Sequence, residues 1–324
     1  MAAAVQPLQP DLRLRRPDPL GTTGLRPRFS FSTVSMFWQT TRFDIDLAEP
    51  QVMAIVNLTP DSFSDGGKHA GTAQGLRHAE QLLRDGAHIL DVGGESTRPG
   101  SPVVPADVEW ARIEGFLKEA LQWNVPISVD TYKAETMRKA LDLGVDIVND
   151  IWALQQPGAL DAVVSHPRCG VCLMHMHRDP QTMQKAPMQG DVVPAVADFL
   201  NARANALRDR GVDAARIVLD YGIGFGKTVA QNFSLLARQQ PLLALGYPLL
   251  AGWSRKSSLG AVLARDGQVP EPAQRVAASV AAALLAVERG ARIVRVHDVR
   301  ETVQALSVLQ HMQAQDSAEA AVSR

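Results

Sequence analysis

Aromatic side chains make up only 5% of this chain of 324 residues, too few for a platform on which nucleobases stack. An excess of either charge is also missing: Lys and Arg number 33 against 34 Asp and Glu, a formal net charge of -1. Without a basic excess there is no general attraction for nucleic acid, and any anion site has to be built locally. No apolar run approaches the length of a membrane span, and no apolar signal segment opens the chain. The sequence reads as a cytoplasmic protein with no nucleic-acid or membrane partner. Cysteine is scarce too: the chain has 2, Cys169 and Cys172, spaced C-x-x-C. A redox pair of this spacing sits on a turn entering a helix, whereas Cys172 lies inside the apolar run 171–174. On a strand, residues three apart face opposite ways at roughly 10 Å, and a disulfide needs Cα atoms within about 7 Å. Both cysteines are therefore expected in the core.

Apolar residues are plentiful, at 46%, and the length suits one large α/β domain or two small ones. Residues 1–35 differ from the rest. Arg13, Arg15, Arg16, Arg26 and Arg28 face few acids there, and Pro10, Pro17, Pro19 and Pro27 spoil an amphipathic helix. This stretch is expected to be a disordered extension ahead of a single domain over 36–312, with a tail at 313–324. From Met53 on, short apolar runs recur at 53–57, 87–91, 127–130, 147–149, 171–175, 217–220, 249–251 and 293–297. Helical patterns lie between most of them: 72–85, with Leu76, Ala79, Leu82 and Leu83 at helical spacing; 134–143, stopped by Gly144; and the alanine-rich 274–288. Buried strands alternating with helices imply right-handed parallel crossovers. Eight such units over about 250 residues match an α/β fold of the (β/α)8 TIM barrel type. The alternative is a doubly wound open sheet. It usually has fewer strands and wants a Gly-rich turn after the first, where this chain has Asn57-Leu58-Thr59-Pro60.

Barrel enzymes place their chemistry at the C-terminal ends of strands. Here those ends read Asn57, Asp91, Asp130, Asn149, His175, Asp220, the run Ser254-Arg255-Lys256, and Arg295 with His297. A single polar residue ending a strand is often only a helix cap; a nearly complete ring of them is harder to explain that way. Asp130, Asn149, Asp220 and Lys256 supply acceptors, donors and one cation. That inventory suits a planar heterocycle with an amidine-like edge, such as a pterin or guanine. An ionised Asp accepts two parallel N–H bonds from a 2-aminopyrimidinone, and Lys donates to a ring carbonyl. The plainer alternative is a buried Asp–Lys ion pair. Asn57, Arg98, Arg295 and His297 are instead donors and cations. Arg forks grip phosphate oxygens, and Gly66, Gly67, Gly100 and Ser101 offer backbone N–H groups near the same mouth. A diphosphate is the natural occupant, with a divalent cation bridging its oxygens and Asn57.

Two motifs lead elsewhere. Gly226-Lys227-Thr228 ends like a phosphate loop, but the first glycine of such a loop would stand at position 221, which is Tyr221. His175 and His177 would face one way on an extended strand. No third and fourth nitrogen ligand stands near them in the sequence, so they are not assigned to a metal.

Two longer stretches, NLTPDSFSDGG from Asn57 to Gly67 and DVGGESTRPG from Asp91 to Gly100, closely resemble the signature loops of the dihydropteroate synthases. Shorter blocks similar to that family follow in its order: SVDT at 128–131, NDI at 149–151, LMHM at 173–176, GIGFGK at 222–227, SRKS at 254–257 and RVHD at 295–298. The resemblance runs from Met53 to Ser307. It implies a homodimeric barrel enzyme of folate synthesis that joins 6-hydroxymethyl-7,8-dihydropterin diphosphate to 4-aminobenzoate, with Mg2+, releasing pyrophosphate. It also implies that Asp130, Asn149, Asp220 and Lys256 hold the pterin, with Met174 packed on it and Arg295 stacked on its ring. Asn57, Arg98, Arg295 and His297 would hold the diphosphate, Asn57 also touching Mg2+. Phe63, Asp65, Thr97, Pro99, Phe225 and Ser254 would form the aminobenzoate pocket. Catalysis would fall to Arg98, Lys256, Arg295 and His297, through an SN1-like loss of diphosphate.

Two departures from the family stand out. The family usually has Pro where this chain has Tyr221, which gives up a fixed φ at the start of a loop. It also has a smaller or uncharged pair where this chain has His177-Arg178. Neither removes an expected ligand. Rival readings fit less well: a pterin binder without catalysis would not need the diphosphate set, and a pterin-dependent methyltransferase would have no use for the loop Ser96-Thr97-Arg98-Pro99.

Overall fold

The computed structural model describes residues 14–15, 37–59, 67–98 and 100–322. Phe63, Asp65 and Pro99 lie outside them, as does most of the expected N-terminal extension. Short strands β1 (Leu14–Arg15), β2 (Phe37–Gln39) and β3 (Asp44–Asp46) form a small antiparallel sheet with β3 in the middle, so two residues of the stretch expected to be disordered are paired. The parallel strands follow: β4 (Gln51–Asn57), β5 (Ile89–Gly93), β6 (Ile127–Asp130), β7 (Ile147–Asp150), β8 (Gly170–Met174), β9 (Ile217–Asp220), β10 (Leu249–Ala251) and β11 (Ile293–Val296). They run in chain order and close into a barrel, with β9 pairing β10, β10 pairing β11 and β11 pairing β4. Closure rules out the open sheet.

The helices α1 (Gly67–Arg84), α2 (Ala106–Ala120), α3 (Ala134–Leu143), α4 (Ala159–Val164), α5 (Val192–Arg208), α6 (Val229–Ala237), α7 (Gln240–Leu243), α8 (Ser257–Leu263), α9 (Val276–Glu288) and α10 (Val299–Val322) lie between and after the strands. Strand residues are apolar on both faces because both are covered. β4 is buried from Gln51 to Val56, and only Asn57, at its C-terminal end, is partly open. α3 stops where Gly144 turns left-handed, with φ 96°. The helix expected over 274–288 is split, because Pro272 opens a 3-10 turn, Pro272–Arg275, ahead of α9. α10 runs through the boundary placed at 312 and on to Val322. Among the described residues no helix is long and apolar enough to cross a membrane.

The β2–β3 hairpin closes the N-terminal end of the barrel, and the apolar pattern from Met53 onward gives no hint of it. Trp38 is fully buried and joins Ile45, Met53, Ile89, Ile147, Val218, Leu250 and Ile293 in one cluster; its Nε1 donates to Arg216 O at 2.9 Å. A Cβ on Gly170 would lie 3.0 Å from that Nε1, so glycine leaves the room in which the indole sits. Arg42 adds an ion pair with the buried Asp146 at 2.6 Å. The cysteines divide as strand geometry requires: Cys169 packs in the outer core and Cys172 in the cluster around Trp38, both as free thiols. With this end covered by the hairpin, the cavity seen among the described residues lies at the C-terminal ends of the strands.

Candidate active site

The open end holds a cavity of about 330 Å³. Its walls come from nearly every strand end: Asn57 at the end of β4, Thr97 and Arg98 after β5, Asp130, Asn149, Met174, Asp220, Ser254 and Lys256, then Arg295 and His297. The structure thus brings together every described residue that the sequence assigns to a ligand. Phe63, Asp65 and Pro99 lie outside the described residues.

The floor is charged and tightly bonded. Arg295 donates Nε to Asp91 Oδ2 at 2.6 Å and Nη2 to Asp130 Oδ2 at 2.7 Å, while Asn149 Nδ2 donates to Asp91 Oδ2 at 3.1 Å. Burial alone would lower the Arg295 pKa, but Asp91 and Asp130 outweigh it and hold the guanidinium protonated. Burial pushes Asp130 upward, against the pull of Arg295. Asp130 lines the cavity, and among the described residues its Oδ1 has no partner, so this floor keeps hydrogen-bonding capacity for something else. The sequence groups Arg295 with the diphosphate donors, whereas its bonds place it among the carboxylates. Asp91 is the residue the sequence leaves without a role. Its signal, an acid ending a buried strand, is present, but not its partners.

Asp220 and Lys256 face the same cavity without forming an ion pair among the described residues. Asp220 Oδ1 accepts from Gly222 N at 2.7 Å, and burial raises its pKa. The Lys256 ammonium lies over the Phe225 ring, 4.3 Å from its centre, and burial lowers its pKa to about 8. The plain ion-pair alternative is therefore not what the mouth contains.

The rim is set by Ser254 and His297. His297 Nδ1 lies 3.0 Å from Ser254 Oγ, and its backbone N donates to the same oxygen at 3.1 Å. Burial, and then Arg295 and Arg255, depress the His297 pKa to about 3. An imidazole held neutral in this way can donate through one ring nitrogen, which fits the donor side of the set of donors and cations that the sequence offers. Arg98 is exposed on a segment whose backbone bonds to Ser96 Oγ and, through Gly100 N, to Pro180 O. Below it, Glu95 accepts from Tyr132 Oη at 2.9 Å and pairs with Lys133, which anchors the start of that segment.

The remaining sequence candidates fall elsewhere. The His175 ring packs edge-on against Phe199 of α5, with centroids 4.9 Å apart, and does not line the cavity. Among the described residues no three His, Cys, Asp or Glu side chains are grouped to hold a metal. Thr228 caps α6: its Oγ1 accepts from Gln231 N at 3.2 Å, and its N donates to Gln231 Oε1 at 2.9 Å. Tyr221 is fully buried in the outer core, where its hydroxyl donates to Gln239 Oε1 at 3.0 Å. The residue in place of the family's proline is thus held by packing and one hydrogen bond.

A family model described as pterin binding enzyme matches residues 53–297. The dihydropteroate synthase of Neisseria meningitidis serogroup B is 50% identical over 276 residues, covering 84% of this chain and 95% of that protein. The chain belongs to the dihydropteroate synthase family. Among solved dihydropteroate synthases, that of Burkholderia cenocepacia, complexed with 7,8-dihydropteroate, superposes with a TM-score of 0.78 at 50% identity, covering 87% of this chain and 98% of its own. That of Xanthomonas albilineans, with 4-aminobenzoic acid, gives 0.77 at 47% identity, covering 84% and 96%. The match to dihydropteroate synthases spans the barrel and its mouth, where the residues quoted for the resemblance stand.

Proposed function

We propose that this chain catalyses the dihydropteroate synthase reaction, joining the CH2 of 6-hydroxymethyl-7,8-dihydropterin diphosphate to the amine of 4-aminobenzoate and releasing pyrophosphate. The observation that carries the reading is one cavity that unites an acceptor-rich floor with a rim of donors and cations. On this reading Asp130, Asn149 and Asp220 take the N–H edge of the pterin, Lys256 donates to its ring carbonyl, and Met174 packs on it. Arg295 stacks on the pterin and binds diphosphate with Asn57, Arg98 and His297. It has the capacity, because the two carboxylates engage Nε and Nη2 and leave Nη1. Thr97, Phe225 and Ser254, with Phe63, Asp65 and Pro99, enclose the aminobenzoate.

An aryl amine is already a neutral nucleophile at pH 7, so the site needs no strong general base. The difficult step is breaking the C–O bond to diphosphate. Arg98 and Arg295 offset the charge that grows on the leaving group, and neutral His297 donates to it. The carboxylates of the floor stabilise the electron-poor pterin CH2. The substitution is SN1-like: the C–O bond breaks before the C–N bond forms, and the amine proton leaves to solvent. A secondary deuterium isotope effect of unity at that CH2 would contradict this order.

Asn57 suits Mg2+, since it offers a hard carboxamide oxygen at a partly open strand end, and Mg2+ usually takes one or two protein ligands beside substrate phosphates and water. When bound, the ion would screen the diphosphate charge. We take the enzyme to act as a cytoplasmic homodimer, supported by the apolar side chains of Val308 and Met312, one turn apart on α10 and 72% and 50% exposed. Sedimentation as a monomer would contradict it. The function itself is tested by thermal unfolding with a sulfonamide, a mimic of 4-aminobenzoate. Protection that requires pyrophosphate and Mg2+ is expected; no protection under any combination would count against the aminobenzoate site.

A further inference from the structure

We propose that Lys227 is a positioning residue: its buried ammonium fastens the glycine-rich turn 222–226 to the end of β8 and so holds Phe225 in the wall of the aminobenzoate pocket. The inference rests on the reading of that pocket given above. Lys227 stands in the motif that resembles the end of a phosphate loop, yet its side chain is 4% exposed and does not line the cavity. Its Nζ donates to three backbone carbonyls, Gly222 O at 2.8 Å, His175 O at 3.3 Å and Phe225 O at 3.3 Å. No carboxylate pairs with it among the described residues. In its protonated form the amine has three donors and no acceptor, which matches three converging carbonyls one to one; burial lowers its pKa to about 7, against the pull of Asp220.

The turn these bonds hold is tightly coiled on its neighbour. Gly222, Gly224 and Gly226 all have positive φ, at 65°, 83° and 71°. A Cβ on Gly222 would lie 1.9 Å from His175 O, and one on Gly226 would lie 2.6 Å from His177 Cβ. The backbone of 222–226 therefore lies directly against that of 175–177, and His177 N donates to Phe225 O at 3.4 Å. Phe225 projects from this turn to lie under the Lys256 ammonium and to pack with Ile151, Met174 and Met183. Without the Lys227 ammonium, three inward-facing carbonyls lose their common donor. The turn keeps other bonds, Gly224 N to Asn232 Oδ1 at 3.0 Å and Gln184 Nε2 to Gly224 O at 2.7 Å, so it should loosen without unfolding.

The test compares the wild type with Lys227→Met, which keeps length and burial but has no donor, and Lys227→Gln, which keeps two. In Lys227→Met the KM for 4-aminobenzoate should rise about tenfold, with the KM for the pterin diphosphate moving less than about twofold; Lys227→Gln should fall between. Hydrogen exchange read by mass spectrometry supplies a readout that does not depend on turnover. Amides of 222–227 should exchange about tenfold faster in Lys227→Met, while those of β9 stay unchanged. If the wild type fails to form product, the functional reading falls, and exchange alone decides whether the tether exists. Unchanged exchange, or an equal rise in both KM values, would overturn the proposal. So would loss of folding in both variants, because that would make Lys227 a general structural residue.

Discussion

Arg295 reaches from β11 past β4 to donate its Nε to Asp91 Oδ2 of β5 at 2.6 Å. Asp91 is fully buried, so this bond fixes the guanidinium from below while Nη2 bridges to Asp130. The same Asp91 oxygen receives Asn149, and one carboxylate therefore sets the positions of two residues proposed to touch ligand. Asp91→Asn keeps the shape and removes the charge. A buried charge that loses its partner costs several kcal/mol, and Asp130 remains to offset part of it, so stability should fall by about 2 kcal/mol in urea unfolding. Misplacing Arg295 should lower kcat/KM for the pterin diphosphate about a hundredfold. A variant that keeps wild-type kcat/KM would mean that Asp91 does not position Arg295.

Lys256 is a cation of the cavity whose charge is lost just above neutral pH. Burial places its pKa at about 8, below the usual value for lysine, so its ammonium disappears as pH rises through about 8. A neutral amine donates to a ring carbonyl more weakly than an ammonium. The pH profile of kcat/KM for the pterin diphosphate, which reports the free enzyme, should therefore fall above about pH 8 with a slope of about -1. In Lys256→Arg the cation persists to much higher pH, so this limb should vanish even if activity is lower. An alkaline limb at the same position in both proteins would assign it to another group.

His297 is expected to stay neutral throughout that range, because burial and the nearby Arg295 and Arg255 hold its pKa near 3. The ring proton resonances of His297, assigned by comparison with His297→Asn, should be flat from about pH 5 to 8. A titration with a midpoint near 6 would make His297 a cation over part of that range and contradict this expectation.

The pattern of buried runs gave the barrel its strands because parallel strands covered on both faces carry little but apolar residues. β6, β9 and β10 stand where those runs place them. The side chains of Asp130, Asn149 and Asp220 were legible for the same reason: each is the polar residue that ends its run. What was not legible depended on partners. Asp91 ends a run in the same way, yet only the folded barrel brings Arg295 to it. Lys227 sits in a stretch that only ends like a phosphate loop, and only the approach of His175 and Gly222 reveals what its side chain holds. β2 and β3 are three residues each, too short to display a period, so the seal around Trp38 could not be seen in advance. The charge of His297 likewise follows from burial, which its residue type does not convey.

The most direct test of the account is pyrophosphate release from the pterin diphosphate, measured with and without 4-aminobenzoate and Mg2+, in the wild type and in Lys256→Ala. The account predicts release that requires both additions, with dihydropteroate formed, and a loss of at least about a hundredfold in kcat/KM for the variant, whose cavity lacks the cation opposite Asp220. Pterin binding without release, or release that Lys256→Ala leaves intact, would contradict it.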